Sequence, residues 1–154
     1  MALSVEIPGR DNLELEHLLL DQNGTLSDRG ELIEGVAERL STLKQRLSPQ
    51  ILTADTFGTL EELKRRLGVQ GRRVATGMDK LAFLQELGGE RCVAIGNGRN
   101  DVEMLTAAAL GIAVIGPEGA SSEAIAAADV VCGSVIAALD LLVDEQVLIA
   151  TLRV

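Results

Sequence analysis

The stretch Leu18-Leu19-Leu20-Asp21-Gln22-Asn23-Gly24-Thr25 decides how the rest of the chain is read. Its apolar run fits a buried strand, and it stops on an acid followed at once by a polar turn containing glycine. A carboxylate in that place is either an ordinary turn residue or a reactive group held out at the edge of a sheet. Gly24 supplies backbone freedom for the bend, and Thr25 can hydrogen-bond within it. Read alone, the stretch leaves both readings open, so the choice depends on what the other strands carry at their ends.

Working outward, short apolar runs near 13–20, 50–53, 72–75, 91–95, 111–115 and 129–132 alternate with segments of helical period. Ile33, Val36, Leu40, Leu43 and Leu47 form one helical stripe, Leu60, Leu63 and Leu67 another, and Thr59 and Glu62 have the spacing of a capping box. The alternation predicts an α/β fold, a parallel sheet covered by helices on both faces. Ser4 to Ile7 alternates and precedes Pro8-Gly9-Arg10-Asp11-Asn12, which predicts an N-terminal β-hairpin with the first long strand. Val135 to Val154 predicts one or two amphipathic helices. With 154 residues and 47% hydrophobic content, residues 1–154 are expected to form a single domain.

The net charge of −9 comes from scattered acids, while basic residues gather only in short clusters such as Lys64-Arg65-Arg66 and Arg72-Arg73. That distribution argues against a nucleic-acid partner. No apolar stretch reaches the ~20 residues of a membrane span, and Glu6 and Arg10 do not fit a secretion signal. A cytoplasmic protein without membrane contact is expected. Cys92 and Cys132 sit among apolar residues without a partner motif, and are expected to be buried free thiols.

Three further polar stations follow Asp21: Thr53 after Ile51-Leu52, Lys80 opening an apolar helix, and Gly96-Asn97-Gly98-Arg99-Asn100-Asp101 after Val93-Ala94-Ile95. In a doubly wound sheet ligands bind beyond the carboxyl ends of the strands, so these stations should surround one crevice. Thr53 precedes a helix start, where a hydroxyl and free N–H groups cap the helix or hold an anionic oxygen. Lys80 is either a solvated surface lysine or a positive charge beside two anions. Asn97, Asn100 and Asp101 offer the oxygen ligands Mg²⁺ prefers. A dinucleotide fingerprint at Gly96-x-Gly98 is disfavoured, because Asp101 occupies the third glycine's place and the strand is late in the order. His17, the only histidine, lies too early in its strand to reach the crevice.

The four stations, in this order and spelling, resemble the haloacid dehalogenase-like hydrolase superfamily over residues 13 to about 132. The spelling is closest to its soluble branch that looks like a detached P-type ATPase phosphorylation domain. The resemblance implies a Rossmann-like doubly wound sheet and phosphoryl transfer through an aspartyl phosphate. By the same resemblance Asp21 is the nucleophile and Lys80 its catalytic partner, while Thr53, Asn23, Gly24, Thr25 and Asn100 face the substrate. The implied cofactor is Mg²⁺, held by Asp21, the Asn23 backbone carbonyl, Asn97 and Asp101.

Two positions depart from the pattern. Asn23 stands where most phosphatases of the superfamily carry a second Asp, the group that protonates the leaving oxygen and activates water. An amide can do neither, a handicap of ~10²–10⁴-fold on alkyl phosphates. Asn97 stands where the pattern has a metal-binding Asp, so one negative charge is missing. Dehalogenases proper also lack the second Asp, but they need no metal, and a loop built for one favours phosphoryl chemistry.

About 28 residues separate Thr25 from Thr53 and about 27 separate Thr53 from Lys80, each enough for one helix and its turns. Cap domains are inserted at those places in the superfamily, so a capless member is implied, its crevice open to solvent unless a neighbouring subunit or a large substrate covers it. The expected function is a Mg²⁺-dependent phosphohydrolase acting on a phosphorylated small molecule or a phosphoprotein, and a homo-oligomer. The alternative is a phosphate-binding or regulatory module of the same fold with little turnover.

Overall fold

The structure, a computed structural model, describes residues 2–154. Strand β1 (Leu3–Val5) pairs antiparallel with β2 (Leu13–Leu15), Leu3 opposite Leu15, which is the expected hairpin. The single strand expected over 13–20 is instead broken at Glu16. There the backbone N–H donates to the Arg91 carbonyl at 2.8 Å and the carbonyl accepts from Ser48 N–H at 2.8 Å, so the chain leaves the hairpin and enters a second sheet as β3 (His17–Leu20).

A second hairpin follows that the sequence reading missed, β4 (Ser27–Asp28) with β5 (Glu31–Leu32). Its two-residue turn, Arg29-Gly30, has φ of 50° and 89°, the doubly positive pattern that matches strand twist. Helix α1 (Val36–Leu43) buries Val36, Leu40 and Leu43 as their spacing predicts, and leads to β6 (Ser48–Thr53). Helix α2 (Leu60–Leu67) buries Leu60, Leu63 and Leu67 and ends on Gly68 in the left-handed region. Strand β7 (Gln70–Arg73) therefore begins two residues earlier than expected, and Thr76 caps α3 (Gly77–Leu87).

The capping box expected at Thr59 and Glu62 is absent. Asp55 Oδ1 accepts from Thr59 and Leu60 N–H at 2.8 and 3.0 Å, and the Thr59 hydroxyl accepts instead from Gln22 Nε2. The reciprocal box forms at Thr76 and Asp79. The chain continues through β8 (Cys92–Gly96), α4 (Val102–Ala107), β9 (Leu110–Val114), α5 (Ser122–Ala127) and β10 (Val130–Cys132). It closes with α6 (Val135–Val143) and α7 (Glu145–Leu152). Helix α6 is more deeply set than an amphipathic surface helix, with five of its side chains buried.

The main sheet has six strands in the order β10-β9-β8-β3-β6-β7, parallel throughout. Period-two alternation divides its side chains: Leu18, Leu20, Val93 and Ile95 join the larger core with α1, α2, α6 and α7. Leu19, Leu52 and Ala94 face α3, α4 and α5. Cys92 and Cys132 are buried and free, and burial pushes the Cys92 thiol up to about 11. The chain winds out on one side of β3 through β6 and β7 and then returns to the other side with β8, so the crevice of a doubly wound sheet opens at the carboxyl end of β3. Only the β4–β5 hairpin stands between β3 and α1, and a short loop joins β6 to α2, so neither connection carries a cap domain.

Candidate active site

Asp21 is the first residue after β3, where its N–H continues the ladder to the Ile95 carbonyl at 3.0 Å. Its neighbours turn sharply because the Gln22 carbonyl accepts from Thr25, Leu26 and Ser27 N–H, and Gly24 adopts φ of 80°. The turn directs the Asp21 carboxylate into a cavity of about 210 Å³ shared with Asn23, Thr53, Asn97 and Asn100. Of the residues singled out from the sequence, these five line one space. Lys80, Thr25 and Asp101 lie beneath it, each essentially inaccessible to solvent.

Lys80 Nζ donates to Asp21 Oδ1 at 2.9 Å and to Asp101 Oδ1 at 2.7 Å. It reaches them from the first turns of α3, whose start is fixed by the Thr76–Asp79 box. Burial raises the Asp21 carboxyl to about 6, helped by the nearby Asp101 charge and opposed by Lys80 and Thr25. Burial alone would pull Lys80 down, but the Asp21 and Asp101 carboxylates together hold it above the ordinary lysine value. The cluster is a cation set between two anions, only one of which faces the cavity.

That other anion is held through both of its oxygens. Asp101 Oδ2 accepts from the N–H groups of Asn97 and Gly98, both at 3.0 Å, while Oδ1 takes the lysine. Asp101 thus anchors Lys80 and shapes the Asn97 loop. The loop can close so tightly because a Cβ at Gly96 would stand 2.5 Å from the Asp101 carboxyl carbon.

Asn97 is oriented by its surroundings. Its Nδ2 donates to the Gly119 carbonyl at 3.1 Å, so Oδ1 is the atom turned toward Asp21. Asp21 Oδ2 and Asn97 Oδ1 converge on the Thr25 hydroxyl, at 3.1 and 3.3 Å. An all-oxygen corner of this kind suits a hard divalent cation such as Mg²⁺. An aspartate at 97 would instead set a charged oxygen against the Gly119 carbonyl, so the asparagine is built into the local structure.

Thr53 ends β6 across the cavity, where its Oγ1 accepts from Asp55 N–H at 2.9 Å, leaving the hydroxyl hydrogen for an incoming anion. Asn23 Oδ1 accepts from the Ser27 hydroxyl at 3.4 Å. His17 lies at the opposite end of β3, 3.9 Å from Glu16 and far from the cavity mouth. The sequence reading missed three residues here. Gln22 ties the Asp21 turn to the start of α2 through Thr59 at 2.7 Å, and Thr56 and Glu118 line the cavity. The signal for Glu118 was available: Gly116-Pro117-Glu118-Gly119 is a turn directly after an apolar strand, as the other stations are.

A sequence model described as haloacid dehalogenase-like hydrolase matches residues 33–136, more than half of the chain. The chain belongs to the haloacid dehalogenase-like hydrolase family. The matched span includes Thr53, Lys80 and the Asn97 loop, with Asp21 just before it. An uncharacterized protein of Methanocaldococcus jannaschii is 49% identical over 78 residues, 48% of this chain and 84% of that protein.

Among solved structures, this family member is similar in fold to 3-deoxy-D-manno-octulosonate 8-phosphate phosphatase from Moraxella catarrhalis, crystallised with magnesium and phosphate ions and KDO. The TM-score is 0.68 at 21% identity, covering 90% of this chain and 94% of that one. A phosphoserine phosphatase in its apo form gives 0.69 at 15% identity, over 84% and 98% of the two chains. A zinc-transporting PIB-type ATPase in the E2.Pi state gives 0.65 at 24% identity, covering 78% of this chain and 20% of that chain. These likenesses establish the shared fold. Among the described residues, no helix is long and apolar enough to cross a membrane.

Proposed function

We propose that this hydrolase is a phosphatase of phosphate esters or acyl phosphates that works through an aspartyl phosphate on Asp21, with Mg²⁺ as cofactor. The observation that carries the reading is the Asp21 carboxylate itself, clamped by Lys80 and Thr25 and turned into a polar cavity opposite Thr53. A carboxylate oxygen forms the new bond to phosphorus while the ester P–O bond breaks, and a water later displaces the phosphoryl group from Asp21. Thr53 donates its hydroxyl hydrogen to a phosphoryl oxygen, and Asn100 stands at the cavity rim. Lys80 holds the attacking carboxylate in place and offsets the repulsion between two anions.

Asp21, the Asn23 carbonyl and Asn97 Oδ1 would hold the cation, with Asp101 in support behind Lys80. When bound, it neutralises charge developing on the phosphoryl oxygens. Asn23 donates no proton, so the departing oxygen takes its proton from solvent. Intact-mass analysis after incubation with Mg²⁺ and acetyl phosphate tests the reading: a phosphoryl adduct is expected on the wild type and not on Asp21→Asn. No adduct on either would favour the phosphate-binding module.

Replacing Asn23 with Asp is expected to raise hydrolysis of an alkyl phosphate by up to ~10²-fold, with a smaller gain on p-nitrophenyl phosphate, whose leaving group needs less protonation. The Ser27 hydroxyl that meets Asn23 can donate to a carboxylate equally well. Steady-state rates on the two substrates decide it; equal gains, or none, would remove the role given to position 23. A homo-oligomer is proposed with it, supported by exposed Val143 and Val147 at the α6–α7 corner. Light scattering at micromolar concentration should exceed the 16.3 kDa chain mass, and a strict monomer would end that idea.

A further inference from the structure

The turn after β9 is locked against the Asp21 turn. Gly116 and Gly119 pair across it, with N–H to carbonyl distances of 2.9 and 3.4 Å, and Gly119 adopts φ of 75°. A Cβ on Gly116 would collide with the Gly24 carbonyl oxygen. From the other side, the Gly119 carbonyl accepts from Asn97 Nδ2 and Ser121 N–H donates to the Asn97 carbonyl at 2.8 Å. Such a turn has little freedom, and it carries one charged side chain.

That side chain is Glu118. Its carboxyl carbon would lie 3.2 Å from a Cβ at Gly24, and the Asn97 amide carbon would lie 3.2 Å from that same point. The glutamate and the asparagine thus flank the bare Gly24 backbone, and both line the cavity with Asp21. Glu118 makes no hydrogen bond or ion pair with another side chain among the described residues, so its carboxylate is not committed elsewhere as that of Asp101 is.

We propose that Glu118 is the second carboxylate of the metal site, supplying the charge that Asn97 does not. The inference rests on the proposed phosphatase reading and refines its metal centre. With Asp101 taken by Lys80 and two N–H groups, Asp21 would be the only formal anion offered to a divalent cation, few for a hard ion that binds through carboxylates and substrate phosphate. Glu118 restores the count from a different strand end.

The test is Mg²⁺ binding by the full chain without substrate, followed by titration calorimetry and by the rise in thermal midpoint. Glu118→Gln should weaken Mg²⁺ binding about tenfold or more, while Glu38→Gln, which removes an equal charge from exposed α1, should change it less than about twofold. The midpoint without Mg²⁺ should be unaltered by Glu118→Gln, because the side chain supports nothing else. Wild-type binding that survives Glu118→Gln, or an equal loss in Glu38→Gln, would overturn the inference and leave the metal reading standing. Absence of wild-type binding at millimolar Mg²⁺ would overturn both.

Discussion

Replacing Asp21 with Asn is expected to abolish phosphatase turnover, by at least ~10³-fold, while making the metal-free protein more resistant to heat at pH 7. The first effect follows from removing the atom that bonds to phosphorus. The second follows from the position of the carboxylate. Burial, with Asp101 nearby, raises Asp21 from the ordinary 3.8 to about 6, so the ionised side chain costs the folded state free energy. The native protein binds more protons than the unfolded chain between about pH 4 and 6, and this contribution therefore falls as pH rises through that window and is lost in full above it. Relief of that cost outweighs the lost contact with Lys80, which Asp101 still holds, so a rise of a few degrees in thermal midpoint is expected. The stabilisation by Asp21→Asn should be largest at pH 7 and shrink toward zero at pH 4. Turnover within tenfold of wild type would sink the mechanism; a gap in midpoint that does not narrow with acid would sink the account of the carboxylate.

Lys80→Met should have the opposite effect on stability. Methionine fills similar volume, but it leaves Asp21 and Asp101 buried together with no cation between them, where Lys80 now stands 2.9 and 2.7 Å away. Breaking a buried ion pair from one side typically costs about 3–5 kcal/mol, here a fall in midpoint of about 10 °C or more in metal-free buffer. Acidification should recover part of the loss, since protonating Asp21 removes one of the two facing charges. Calorimetry at pH 7 and pH 5 measures both. A loss under about 1 kcal/mol at pH 7 would mean that the lysine is not what holds the two acids together.

Much of this arrangement is legible in the sequence, because each station ends an apolar run and a parallel sheet gathers such ends on one edge. Asp21, Thr53 and Asn97 needed only their own strands to be placed. Lys80 needed more: nothing local separates it from an exposed lysine, and it was read from its order among the stations. The break at Glu16 depends on backbone partners at Ser48 and Arg91, which periodicity cannot show. Thr59 has the spelling of a cap, yet Gln22 takes its hydroxyl and Asp55 does the capping, a contest decided by contacts between distant segments. The partners that fix Asp101, a lysine and two backbone N–H groups, come from other segments and leave no mark in the local sequence.

The contact between Gly24 and Gly116 bears on how this loop pair can change over time. Each glycine is required by an atom of the other's neighbourhood: Gly116 by the Gly24 carbonyl, and Gly24 by the Asn97 amide and Glu118. A side chain at Gly116 would push the Asp21 turn away, whereas one at Gly24 would have to displace the Asn97 amide and adopt a left-handed backbone. A substitution at Gly116 therefore requires the Asp21 turn to move with it. Chimeras should show the same linkage: moving the Asp21 loop alone into a related scaffold would bring its carbonyl against a turn that was never shaped to receive it.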